Sequence, residues 1–333
     1  MADDVDCRVV RSEFSTTDTD IAEDFLGRGY TSETRATITG FADDFRLDLQ
    51  ALTAPRFSLG RVQVAVDLIF DGAAGPDDPL SVVQPVGGRF AYSDTSYPDV
   101  HVDTGDVVLI PPRGGMRTVC ERFDLAMVQL DRSAVTAYAA AVTGLDPDQL
   151  AFAAITPLTP TLARYWIDTI THVRDDVLTD PWAARSPTLL DQAFRTLAAA
   201  LLSTFPNTAL ARTTDPEAPS VRGEVSAATL REVTAYLDAF ADRPIGPEDI
   251  ADLAGTPYRE VVEGLRRRDG LHPAQTLWAA RLRGAFSDLL NADPATETIA
   301  AVAARWGFVS RHSFRIAYTD ATGGESPEDT LRR

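Results

Sequence analysis

Two short stretches decide the reading of this chain. They are Ile250-Ala251-Asp252-Leu253-Ala254-Gly255 and, 52 residues later, Val302-Ala303-Ala304-Arg305-Trp306-Gly307. In each, an alanine stands four positions before a glycine: Ala251 with Gly255, and Ala303 with Gly307. That spacing suits a helix-turn-helix. The small alanine lets a second helix approach, and the glycine takes the left-handed conformation that ends the first. A further helical pattern follows each stretch. Val261 and Leu265 face the core at i and i+4 in the first unit, and Phe314 and Tyr318 do so in the second. Gly246-Pro247 opens the first unit and Thr298 caps the second. Between them, Pro273 to Asn291 reads as one helix with Leu277, Leu282, Leu289 and Leu290 turned to the core. At 1.5 Å per residue it spans about 28 Å, near the roughly 34 Å of one DNA turn.

Upstream, the pattern differs. From about Thr37 to Leu130 it favours strands. Phe45, Leu47 and Leu49 alternate with Arg46 and Asp48, and Val62, Val64 and Val66 alternate with Gln63 and Ala65. Val82 to Val86, Gly87-Gly88, then Phe90 and Tyr92 read as a hairpin around a glycine turn. Gly105-Asp106 followed by Val107 to Ile110 and Pro111-Pro112 reads as a turn, a buried strand and a stop. Short strands with glycine and proline turns predict a small barrel or sandwich. From Ser133 the period becomes helical. Ser133–Thr143, Thr159–Leu178 and Thr188–Phe205 read as helices, the last an Ala/Leu-rich packing or dimerisation face. Residues 211–223 are polar with two prolines and read as a linker. The division is 1–210, linker 211–223, and 224–333.

Composition sets outer bounds. The chain has 333 residues, 44% hydrophobic and 24% charged, which argues against global disorder and suggests two domains. All 31 basic residues are arginine, and 49 Asp and Glu bring the net charge to −18. Residues 1–223 carry 18 Arg against 32 acidic residues, a net of −14, and 224–333 carry 13 against 17, a net of −4. Most of the acidity therefore lies away from the paired units. Cys7 and Cys120 are too few for a disulfide scaffold or a structural zinc site. The acidic start Met1-Ala2-Asp3-Asp4 is no secretory signal, and the apolar run Ala193 to Phe205 is shorter than a membrane span. The expected location is the cytoplasm. Of His101, His172, His272 and His312, only His101 falls in the strand-rich part, so no multi-histidine metal site is expected there. No nucleophile elbow or phosphate loop is found. An enzyme, a bound cofactor and a metal are not expected.

The segment from about Glu224 to Arg333 resembles the double helix-turn-helix domain of AraC/XylS-type transcription regulators. The residues that carry this are Ile250-Ala251-x-x-x-Gly255, Arg259, Leu265-Arg266-Arg267, Gly270 with Pro273, Leu277, Arg281-Leu282, Asp293-Pro294 and Arg305-Trp306-Gly307-Phe308, with Phe314 and Tyr318. The N-terminal part resembles, more weakly, the cupin-like sensor and dimerisation domain that often precedes it, through Gly105-Asp-Val-Val-Leu-Ile-Pro-Pro and Phe205-Pro206-Asn207. The fold implied is α+β: a cupin-like β-barrel with packing helices, then an all-α double helix-turn-helix domain.

The resemblance implies a sequence-specific DNA-binding regulator controlled by a small-molecule effector or by dimerisation. Double-stranded DNA, RNA polymerase, a second copy of the chain and an effector are the partners it implies. The DNA-facing residues would be Arg259, Arg266, Arg267 and Arg268 in the first unit and Ser310, Arg311, His312 and Arg315 in the second. This chain departs from the family at Val262 and Glu263, where Arg or Gln is usual, and at Asp269 and Thr319–Thr322. A carboxylate facing phosphates is repelled. Two further functions therefore stay open. One is an AraC-like interaction protein that acts through protein contacts. The other is a regulator in which only the second unit binds DNA.

Overall fold

The computed structural model describes residues 8–30, 34–39, 45–94, 97–214 and 225–332. Its strands are β1 (Val10–Thr16), β2 (Arg35–Ile38), β3 (Leu47–Ala54), β4 (Phe57–Val64), β5 (Leu68–Ala73), β6 (Leu80–Asp94), β7 (Val100–Val102), β8 (Val108–Leu109) and β9 (Gly115–Leu130). All belong to one antiparallel sheet. Strand β9 organises it. Along one edge it pairs with β5 and then β4, and along the other with nearly the whole of β6. Sharing one long bent strand between two rows curls the sheet into a half-barrel, where the sequence suggests a cupin-like barrel.

The bend has a local cause. Met116, Thr118 and Cys120 are buried on even positions of β9, while Phe123 and Leu125 are buried on odd ones. The phase slips at Arg122, which has φ 39°, opposite Gly88 with φ 72°. The register shifts between Pro85 and Gly87 and again between Gly87 and Arg89. This corrects the reading of Gly87-Gly88 as a hairpin turn. The glycines make a bulge inside one continuous strand, which adds residues on one side and increases twist.

The helices are α1 (Thr19–Tyr30), α2 (Arg132–Thr143), α3 (Pro160–His172), α4 (Pro187–Thr204), α5 (Thr208–Thr214), α6 (Ala227–Ala239), α7 (Pro247–Ala254), α8 (Tyr258–Asp269), α9 (Pro273–Asn291), α10 (Ile299–Arg305), α11 (Arg311–Ala321) and α12 (Pro327–Leu331). Thr159 and Ser186 cap α3 and α4, each accepting from a backbone N–H three residues on. Helix α3 stops at His172, and a wider π-turn runs Val173–Leu178. The expected linker lies mostly outside the described residues, and its first four residues finish α5. Cys7 also lies outside them. Cys120 is buried in the sheet, and burial pushes its thiol up to about 12.

Helix α4 is core. Leu189, Leu190, Ala193, Phe194, Leu197, Ala198 and Leu201 are buried against the half-barrel. The C-terminal helices hold two smaller cores. The first is aliphatic: Leu230, Val233, Leu237, Ile245, Ile250, Val261 and Leu265. The second is aromatic and contains Phe308, Phe314 and Tyr318 with Leu282 and Leu289. Leu277 packs against the first core, but Leu290 is 46% exposed, against expectation. It falls on the outer side of α9, one position past the stripe that carries Leu289.

Candidate nucleic-acid interface

The two units follow one plan, with one residue more in the turn of the second. Glycines Gly255 and Gly307 have φ 61° and 79°, the left-handed conformation that ends α7 and α10. Ala303 is buried and Ala251 half-buried at the crossing of the two helices. Val261 and Leu265 of α8 match Phe314 and Tyr318 of α11, 53 residues on, and all four are buried. With 3.6 residues per turn, the outward positions then correspond. Tyr258 matches Arg311, Arg259 matches His312, Val262 matches Arg315, Glu263 matches Ile316, and Arg266 matches Thr319.

In the second unit this face is open. Arg311, His312, Arg315 and Ile316 are exposed. Behind it an aromatic chain pins the helix: Trp278 to Phe308 at 4.5 Å, Phe308 to Phe314 at 4.9 Å, and Phe314 to Tyr318 at 5.4 Å. The Tyr318 hydroxyl bonds Thr330 at 2.8 Å. Ser310 caps α11 by accepting from the Ser313 N–H at 3.4 Å. Arg315 reaches Glu328 at 3.3 Å, whereas Arg311 has no ion-pair partner among the described residues.

In the first unit the equivalent face is partly covered. Tyr258, Arg259 and Val262 are half-buried. Helix α2 lies against α7 and α8. Burial, with Tyr138 of α2 nearby, pushes the Tyr258 phenol up to about 12. Arg259 pairs with Glu260 at 3.5 Å, and Arg267 with Glu263 at 3.5 Å. Arg268 turns away from the outward face. It bonds Asp269, the Ala227 carbonyl at 3.4 Å and the Thr234 hydroxyl at 3.4 Å, so it ties α8 to α6. Of the four arginines singled out on α8, Arg266 is exposed without an ion-pair partner among the described residues.

Both units are gripped by the N-terminal part through one face of α4 and its cap. Ser186 donates to the Ala304 carbonyl at 2.6 Å, and Thr188 to the Asp242 carbonyl at 3.3 Å. Gln192 sits between Arg281 and the Gly307 carbonyl. Arg195 pairs with Asp191, with Glu248 at 2.7 Å and with Asp249 at 3.3 Å. Arg281, 3% exposed, bonds the carbonyls of Ala241 and Arg243 at 3.1 and 3.2 Å. Burial, with Arg195 nearby, pulls its guanidinium down to about 10.

No family model matches the chain. A probable thc operon regulatory protein from Rhodococcus erythropolis is 28% identical over 206 residues, which are 62% of this chain and 60% of that protein. The match thus spans about three-fifths of that relative's length. Among solved structures, the AraC-like transcriptional activator CuxR is 14% identical, covering 90% of this chain and 100% of its own, at a TM-score of 0.43. A probable AraC family transcriptional regulator from Rhodopseudomonas palustris is 31% identical over 32% of this chain and 97% of its own, at a TM-score of 0.30. The likeness is to AraC-type regulators.

Three residues of this surface and its support were missed by sequence reasoning. Ile316 is apolar and lies on the outward face of α11. Helical phase from Phe314 and Tyr318 places it there, so the signal was present. Arg195 was read only as a member of an apolar helix, and Arg281 only as one of the residues that carry the resemblance. The partners of Arg195 on α7 lie 53 and 54 residues away in sequence and the carbonyls that Arg281 bonds lie 40 and 38 away, beyond any local pattern. Among the described residues, no group of three or more His, Cys, Asp or Glu could hold a metal, and no helix is long and apolar enough to cross a membrane.

Proposed function

We propose that this chain is a sequence-specific transcription regulator that binds double-stranded DNA. The observation that carries the reading is the open face of α11, where Arg311, His312 and Arg315 are exposed together on a helix fixed from behind. A recognition helix of this kind enters the major groove, where guanidinium groups reach base edges and phosphates. Ser310, at the helix start, belongs to the same face. Arg259, Arg266 and Arg267 are its counterparts in the first unit, and Arg268 holds α8 in place. Residues 224–333 act as the reader, joined through 211–223 to a sensor of residues 1–210.

The sensor offers a cavity of about 680 Å³ between the sheet and α3, lined by Leu59, Val82, Val128 and Trp166 with Arg61 and Arg174. That volume lies in the range of small-molecule sites. A small-molecule effector bound there acts on the reader through α4 and α2, which pack against it. A second copy of the chain and RNA polymerase are the remaining partners in this reading, and its location is the cytoplasm. No catalytic step is assigned.

Fluorescence anisotropy of the full chain against fragments of its own promoter region, at low salt, tests the reading. Saturable binding to one fragment over unrelated DNA is expected. Equal, weak binding to all fragments overturns it. A second reading is favoured by Glu263 and by the cover over α8: an AraC-like protein that acts through protein contacts, with a degenerate first unit. Its mark is capture of a partner regulator in a complex without DNA.

A further inference from the structure

Among the described residues, Ile316 is the large hydrophobic side chain left exposed on either reading helix, at 52%. Every other long apolar residue of α8 and α11 is buried or half-buried. Ile316 does not stand alone on bare surface. His312 and Thr319, at i−4 and i+3, share its face, and Arg315 and Arg311 lie beyond them around the same side, one and five residues toward the helix start. The two guanidinium groups favour an anionic partner, and the isoleucine a methyl or methylene group next to it. In duplex DNA one base edge joins these demands. Thymine presents a C5 methyl in the major groove, a few ångströms from the phosphate backbone, and apolar side chains contact it.

We propose that Ile316 is a specificity-determining residue that reads the C5 methyl of a thymine. The inference rests on the DNA-binding reading above and adds to it the identity of the base. The side chain is suited to the task. A β-branched residue in a helix is nearly restricted to one χ1 rotamer, so little freedom is lost on contact. The equivalent position of the first unit is Glu263, paired to Arg267 at 3.5 Å, which offers a methyl group nothing. The two units therefore read by different chemistry, and methyl recognition belongs to the second alone.

The experiment uses the full chain and a duplex selected from a random pool by its binding. Each thymine of that duplex is replaced in turn by deoxyuridine, which lacks only the methyl. For the unaltered protein, at least one replacement weakens binding about four-fold, the roughly 0.8 kcal/mol carried by one buried methyl group. Ile316→Ala loses that penalty at the same position, and Ile316→Val keeps it. Because the side chain is exposed, neither change threatens folding. Deoxyuridine tolerated at every position overturns the proposal while leaving DNA binding intact. So does an Ile316→Ala protein that still pays the same four-fold penalty. Failure to select any duplex overturns the DNA-binding reading itself, and the assignment with it.

Discussion

The two helix-turn-helix units share a backbone plan and differ in what surrounds it. The first has an aliphatic core, and its reading helix α8 lies against α2 with Tyr258, Arg259 and Val262 half-buried. The second has an aromatic core, and the matching residues of α11 are exposed. A motif thus specifies a reading helix, while the packing around it decides how much of that helix a ligand meets. The contrast also divides the acidity. Glu263 weakens a face that is already partly covered, whereas the open face of α11 carries Arg311 and Arg315 with Asp320 at its edge.

The largest effect is expected where the first unit is held. The Arg195 side chain is 12% exposed and meets Asp191, Glu248 and Asp249. Burial raises the Asp191 carboxyl despite Arg195 and Arg56 nearby, a sign that this cluster depends on its cations. Arg195→Ala leaves the carboxylates facing one another. Removing one partner of a buried ion pair costs about 3–5 kcal/mol. Urea denaturation should show a loss of that order. Hydrogen exchange should speed up in α7 and α8 and change less in α11. Unchanged protection in α7 would mean that α2 and the Thr188 bond hold the unit without Arg195.

The second unit can be broken on its own at Gly284 in α9. A Cβ there would run into the Trp306 ring. Gly284→Ala must displace that ring and its indole bond to Asp288, 2.9 Å long. Overpacking of this kind costs about 1–3 kcal/mol. A shift in tryptophan fluorescence with weaker DNA binding is expected. A neutral result would show that the Trp306 ring is not held against α9 in solution.

On DNA itself, Arg311→Ala should cost about 1–3 kcal/mol at one site position. Arg259→Ala should cost less, because its side chain is only 33% exposed and engaged with Glu260. Both are read by anisotropy at one fixed salt concentration, since affinity depends steeply on salt. A larger loss for Arg259→Ala would reverse the ranking of the two units.

Much of this was legible in the sequence, for reasons that can be named. Helix α9 runs from Pro273 to Asn291 as read, because its boundaries are local: a proline in the first turn and a break in the pattern before Asp293-Pro294. The helix starts at Thr159, Ser186 and Thr298 are local in the same way, each a side-chain oxygen and a backbone N–H three residues apart. Strand β1 escaped because it lies at the sheet edge with most residues exposed, which leaves no alternation to find. The Gly87-Gly88 bulge escaped because positive φ serves turns and bulges alike, and the partner strand decides which. The α4 stripe of Thr188, Asp191, Gln192 and Arg195 has helical spacing, but the Ala/Leu-rich segment around it reads only as a packing or dimerisation face. Thr188 and Arg195 dock against residues 53 and 54 positions on, and Gln192 against Arg281 and Gly307, farther still.

The smallest expected effect separates two neighbouring arginines. Arg266 is exposed on the outward side of α8, near the phase of Thr319 in α11. Arg268 lies on the opposite side and bonds the Ala227 carbonyl and Thr234 of α6. If α8 approaches DNA, Arg266 neutralises a phosphate and releases its counterion. Arg266→Ala should then weaken binding uniformly across sequences and reduce the salt slope by about one. Arg268→Ala should leave the slope unchanged, because its charge is already engaged with Asp269. An unchanged slope for both would place α8 off the DNA and assign the phosphate contacts to the second unit. A reduced slope for both would mean that α6 and α8 part when the chain binds. The paired measurement therefore decides whether the covered unit is a reader at all.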